Sequence, residues 1–89
     1  MIKFSHFGDD NTYHFEIGIK NIQFKSKCEI KKTDEKAILY FSTSDLQNKE
    51  EVLHIKQLDS FQEILNKSKI VPAHFKRIVK QELKKELER

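Results

Sequence analysis

Tryptophan is missing from this 89-residue chain, which has only one cysteine, one proline, one methionine and two glycines. Each scarcity removes a class. The lone Cys28 can form no internal disulfide, so the expected setting is a reducing cytoplasm and not the secreted disulfide-stapled class. Two glycines leave no material for a phosphate-cradling loop. No apolar run approaches the ~20 residues of a membrane-spanning helix, and the opening Met1-Ile2-Lys3-Phe4-Ser5-His6 lacks the apolar stretch of a signal peptide, so no membrane is expected. Low-complexity tracts and internal repeats are also lacking. At this length folding withdraws roughly 60–65% of the unfolded chain's surface from water, which leaves little core in which to hollow out an enzyme's pocket.

What is abundant is charge and phenylalanine. Charged residues make up 35% of the chain and seven of its nine aromatics are Phe. That aromatic content separates it from disordered chains of similar charge and points to a single folded domain over residues 1–89. The formal net charge is +3, unevenly spread. Residues 1–32 hold six Lys against four acids, residues 33–66 three Lys against seven acids, and residues 67–89 eight Lys and Arg against three Glu. An acidic middle beside a basic end bears on partners and encounter rates more than on fold.

The first half alternates with period two, as half-buried strands do. Ile2, Phe4 and His6 alternate with Lys3, Ser5 and Phe7, and Gly8-Asp9-Asp10-Asn11 then reads as a turn. Tyr13, Phe15, Ile17 and Ile19 alternate with His14, Glu16 and Gly18. Lys20-Asn21 suits a two-residue turn. Ile22, Phe24, Ser26, Cys28 and Ile30 alternate with Gln23, Lys25, Lys27, Glu29 and Lys31, and Thr33-Asp34-Glu35-Lys36 turns the chain into a strand at 37–41. These turns predict that Ile2 pairs with Ile17, Phe4 with Phe15, His6 with Tyr13, Ile17 with Phe24 and Ile19 with Ile22, leaving Glu16 between Lys3 and Lys25 on the other face.

Residues 44–58 leave two readings open, a fifth strand over 52–58 or one helix over 45–58. Ser60 and Glu63 have capping-box spacing, which starts a short helix with Phe61, Ile64 and Leu65 inward. Pro72 suits the first position of a longer helix. In it Phe75, Ile78, Val79, Leu83 and Leu87 form an apolar stripe and Arg77, Lys80 and Lys84 a basic one. The predicted fold is α+β: an antiparallel meander of four to five strands within residues 2–58, covered on one face by helices at about 60–68 and 72–88.

The chemistry-bearing residues do not assemble into a centre. His6, His14, His54, His74 and Cys28 show no metal-ligand spacing; His6 and His14 fall on opposite faces, and His6 and Cys28 lie two strands, roughly 10 Å, apart. His6 is expected to hydrogen-bond at the rim of the core. Ser5 is expected beside His14, but on an open face with nothing to build an oxyanion hole. Asp9-Asp10 serve turn geometry. The expectation is a non-catalytic protein with no cofactor and no metal.

The outward sheet face is more informative. Lys3, Lys25, Lys27 and Lys31, set against Glu16 and Glu29, interleave with Phe7, His14 and Tyr40, the mixture of cations and flat rings that single-stranded nucleic acid uses. The last helix adds Lys76, Arg77, Lys80, Lys84, Lys85 and Arg89, although its Pro72-Ala73-His74 start is a poor reader of duplex bases. The leading expectation is a binding module that engages a nucleic acid or nucleoprotein through Lys3, Lys25, Lys27 and Tyr40 on the sheet and Arg77, Lys80 and Lys84 on the helix. Small single-strand-binding folds share this architecture, an analogy that carries no residue across. The alternative is an inhibitor or adaptor that docks directly on a host protein, of the anti-defence kind that phages and mobile elements encode, with acids around Asp45, Glu50 and Glu51 imitating phosphate. A third possibility is a small homo-oligomer formed through the open face or an edge strand, in place of a monomer.

Overall fold

The computed structural model describes residues 2–19, 22–44 and 48–88, with backbone alone over 22–24. Five strands, β1 (Ile2–Gly8), β2 (Thr12–Ile19), β3 (Ile22–Lys32), β4 (Lys36–Thr43) and β5 (Lys49–His54), precede two helices, α1 (Phe61–Lys67) and α2 (Ala73–Leu87). The strands lie in one antiparallel sheet in sequence order, so each pairs with its chain neighbour. The helices cover one face, giving the expected two layers.

The period-two pattern becomes burial directly. Phe15, Ile17, Cys28, Ile30, Ala37, Leu39 and Phe41 point toward the helices and are buried with Ile64, Leu65, Val71, Phe75 and Val79. Phe41 meets Phe75 edge-on at 5.2 Å between centroids, one of the favoured aromatic geometries. Leu87, expected inward, is 87% exposed; it sits in the last turn of α2, where the helix outruns the core.

The registers differ from the expected ones by two residues, a shift that keeps every side chain on its face. Ile2 pairs with Ile19, Phe4 with Ile17 and His6 with Phe15. The cause is Asp9. Its Oδ1 accepts from the Asn11 and Thr12 amides at 2.9 and 2.8 Å, and its own amide donates to the Thr12 carbonyl at 2.9 Å. These bonds hold the Asp9 carboxyl below the usual carboxylate range, the Asn11 bond most. The turn therefore starts at Asp9, and Gly8 stays in the strand opposite Tyr13. A Cβ at Gly8 would strike the Thr12 carbonyl oxygen and come within 2.8 Å of the Tyr13 Cα. Glycine is needed there for close approach.

Between β2 and β3 the expected Ile19–Ile22 pair forms, but an irregularity at Gly18/Ile19 then sets Ile17 opposite Ser26. Such irregularities collect where a strand lacks a side chain. Glu16 thus lies between Ser5 and Lys27 in place of Lys3 and Lys25. The expected Lys20-Asn21 turn and the inward place of Phe24 fall outside the description.

Residues 49–54 are strand, which overturns a helix over 45–58 and moves the expected 52–58 strand toward the N-terminus. The chain leaves the sheet after His54 because Asp59 ties a turn. The Lys56 amide and the Lys67 ammonium donate to Asp59 Oδ2 at 2.9 and 3.1 Å, and Lys32 Nζ donates to its carbonyl at 2.6 Å. Ser60 then caps α1, its Oγ accepting from the Glu63 amide at 3.1 Å while donating to the Glu63 carboxylate at 3.3 Å. Pro72 stands at the N-cap of α2, one residue before the expected position. Glu51 points under the sheet and holds the link between the helices, accepting from Ser68 Oγ at 2.7 Å and from the Lys69 amide at 3.0 Å.

Candidate binding face

The face turned away from the helices is built by the alternate residues of the same strands. One cross-strand row runs Phe7–His14–Glu29–Tyr40–Glu50 over all five strands, and the next runs Ser5–Glu16–Lys27–Ser42. Five strands at about 4.8 Å make the first row roughly 19 Å wide. Phe7 stacks on His14, with centroids 4.6 Å apart and planes 14° from parallel. Two strands away, the Lys31 ammonium lies 5.6 Å from the centroid of Tyr40. The rings thus offer flat surfaces held at fixed spacing by backbone hydrogen bonds.

The carboxylates of this face are partly answered. Glu16 lies 3.4 Å from Lys25, a diagonal contact that replaces the directly opposed pair expected from sequence. Glu29 lies between Lys31 at 3.6 Å and His14 at 3.7 Å. Pairs this exposed add little stability. Their consequence is that neither acid presents an uncompensated charge, whereas Lys3 and Lys27 have no ion-pair partner among the described residues. Phe7, His14, Glu16, Lys27, Glu29 and Tyr40 border an open concavity of about 250 Å³. That is below the usual range for an enclosed small-molecule site and suits a flat group laid on a surface.

Lys3, Lys25, Lys27 and Tyr40 share this face. Arg77, Lys80 and Lys84 do not join them. They project from the side of α2 opposite its buried Phe75 and Val79, in the other layer. One ligand lying flat on the sheet leaves that helix surface untouched. Of the acidic group around Asp45, Glu50 is exposed, Glu51 is spent on Ser68 and Lys69, and Asp45 falls outside the described residues.

Ser5 faces Glu16, and His14 faces Phe7, so the expected Ser5–His14 neighbours are separated. His6 lies on the covered side at the core rim. Tyr13 donates its hydroxyl to His6 Nδ1, and His6 Nε2 donates to Glu86 Oε2 at 2.7 Å. Burial, with Glu86 nearby, pushes the Tyr13 phenol above its ordinary value. Burial first, and then Glu29 and Glu51, pushes the Cys28 thiol up to about 12, far from thiolate reactivity. Among the described residues no three His, Cys, Asp or Glu side chains are placed to hold a metal ion, and no helix is long and apolar enough to cross a membrane. The sequence pattern marks the charged and ring-bearing open-face residues of β1 to β4, but not Glu50 and Val52 of β5, where it leaves strand and helix both open; the Phe7–His14 stack is not visible in it either, because that contact depends on the shifted register. No family model matches this chain, and no curated protein or solved structure matches it either.

Proposed function

We propose that this chain is a non-catalytic binding module that takes single-stranded nucleic acid on its open sheet face. The observation that carries the reading is the ring-bearing row Phe7–His14–Glu29–Tyr40 lying beside Lys25, Lys27 and Lys31. Bases stack on Tyr40 and on the outer ring of the Phe7–His14 pair, while the lysines meet phosphates; stacking tolerates any base and the cations tolerate any sequence. Arg77, Lys80 and Lys84 contribute positive field from the other layer and make no contact with the same strand. The neutral, buried Cys28 thiol fits a reducing cytoplasm.

The test is anisotropy of a labelled single-stranded oligonucleotide. With three or four phosphate contacts, affinity falls roughly 20–50-fold between about 50 and 200 mM salt. Lys25→Glu with Lys27→Glu removes binding, whereas Arg77→Glu leaves most of it. Absence of binding to single strands at low salt overturns the reading.

A second reading has its own support. Val52 is 54% exposed beside half-buried Ile38, its partner in the sheet, in the row next to Tyr40 and Glu50. Apolar and aromatic groups ringed by charge also suit direct docking on a protein, as an inhibitor or adaptor would dock. A stoichiometric protein complex that survives nuclease, and is lost with Val52→Glu and unaffected by Lys27→Glu, selects this reading over the first.

A further inference from the structure

The sheet has two edges, and they are built differently. β5 is six residues long and three of them, Lys49, Glu50 and Glu51, are charged. Short, charged edges resist pairing with another chain. β1 is seven residues long, and Lys3 is its only charge. Ile2 and Phe7 are 46% and 56% exposed, and no strand among the described residues pairs with the outer side of β1. It has no proline, no bulge in its pairing with β2 and no inward charge, so Lys3 is the one protection this edge carries.

We propose that β1 pairs antiparallel with β1 of a second copy of this chain, making a two-fold dimer with a continuous ten-stranded sheet. The two-fold passes midway between the two copies of Ser5, the centre of the strand, because that register alone pairs all seven residues while keeping both helical layers on one side. It sets Ser5 against Ser5, Phe4 against His6, Ile2 against Gly8, and Lys3 against the exposed ring of Phe7, where an ammonium is favoured. Parallel pairing in register would instead lay Lys3 against Lys3.

The helical layer fits the same axis. His74, Phe75 and Ile78 border an apolar concavity of about 140 Å³ with Ile2, Ile17, Ile19 and Ser26, and Glu86 bonds His6, so α2 runs beneath the β1–β2 side of the sheet in the direction of β1. Ile78, Glu82 and Lys85 follow His74 on one helical stripe, so this stripe flanks the edge. Glu86 lies level with His6, so the axis passes beside α2 at the level of residues 83–84 and the two helices meet antiparallel with Glu82 of each copy against Lys85 of the other. These residues already lie 3.4 Å apart within one chain. The opposed pairs close a ring of alternating charge, and this complementarity selects a second copy over an unrelated strand.

Residues directly opposite in antiparallel pairs have Cα atoms about 4.5–5.5 Å apart, within disulfide range. Ser5→Cys therefore cross-links to itself under mild oxidation, with the only native thiol, Cys28, buried. Light scattering is expected to give the mass of two chains for the native protein, and non-reducing electrophoresis a full shift of Ser5→Cys to a linked dimer that reductant reverses. Glu50→Cys, on the other edge, stays unlinked. Ser5→Lys, which opposes two ammoniums at the axis, halves the mass while circular dichroism remains that of the folded chain. A one-chain mass up to millimolar concentration overturns the proposal, as does a dimer that Ser5→Cys fails to link or that Ser5→Lys leaves whole.

Discussion

The same five strands present two faces, and the same residue types behave differently on each. On the covered face Phe15 is 2% exposed, and Phe41 and Phe75 lock edge to face beneath it. On the open face Phe7 is 56% exposed, yet it is also held by a ring, that of His14. Charges divide in the same way. Under the sheet, Glu51 and Lys32 are tied to the loops that bring the helices over the core. Above it, Lys3 and Lys27 reach solvent. One face is therefore spent on stability and the other is left available for contact. Both follow from the strict alternation of side chains along a strand.

The largest break in this comparison is a cavity on the covered side. Phe75→Ala is expected to cost about 3–5 kcal/mol in urea denaturation, whereas Val52→Thr on the open face stays within about 0.5 kcal/mol. Equal losses would show that the open face is also core. A smaller effect separates the two helices. α1 is short and its start is held by the Ser60–Glu63 box, so Ser60→Ala is expected to cost about 1 kcal/mol. α2 has no side-chain cap and is anchored by Phe75 and Val79, so Pro72→Ala changes stability less. The smallest effect is on acid sensitivity. The Lys56 amide, then Lys67, holds the Asp59 carboxyl below its ordinary value, and the Asn11 and Thr12 amides do the same for Asp9. Groups with lowered folded values contribute stability above their unfolded value near 3.8, and that contribution is lost as pH falls through the lowered values. Melting temperature is therefore expected to drop below about pH 4, and Asp59→Asn to flatten the drop. An unchanged acid profile in Asp59→Asn would show that its ties add nothing.

Much of this architecture is written in local pattern. The period-two runs through β1 to β4, the capping-box spacing at Ser60 and Glu63, and the apolar stripe of α2 each declare an element within a few residues. They do so because propensity and burial act at short range. The fifth strand was ambiguous because its first three residues, Lys49-Glu50-Glu51, are charged, with Glu51 facing inward. That orientation makes sense only once Ser68 and the Lys69 amide arrive from the helical layer to receive it. Across β1 to β4 the open face was legible as a set of residues, since parity survives a two-residue slip. The contacts among them were not, because a turn begun at Asp9 and an irregularity at Gly18 decide which neighbour each side chain meets.

The chain by itself thus determined which residues face the core and which face water, because a strand's alternation is a property of its own backbone. Only the tertiary structure decided the remaining partners: Glu16 opposite Ser5 and Lys27, Phe7 with His14, His6 with Glu86, and the separation of the α2 cations from the sheet lysines. Those choices depend on register and on the docking of one layer against the other. The first is set by hydrogen bonds within one turn and an irregularity at Gly18, which periodicity does not report, and the second by groups far apart in sequence, where no local periodicity reaches.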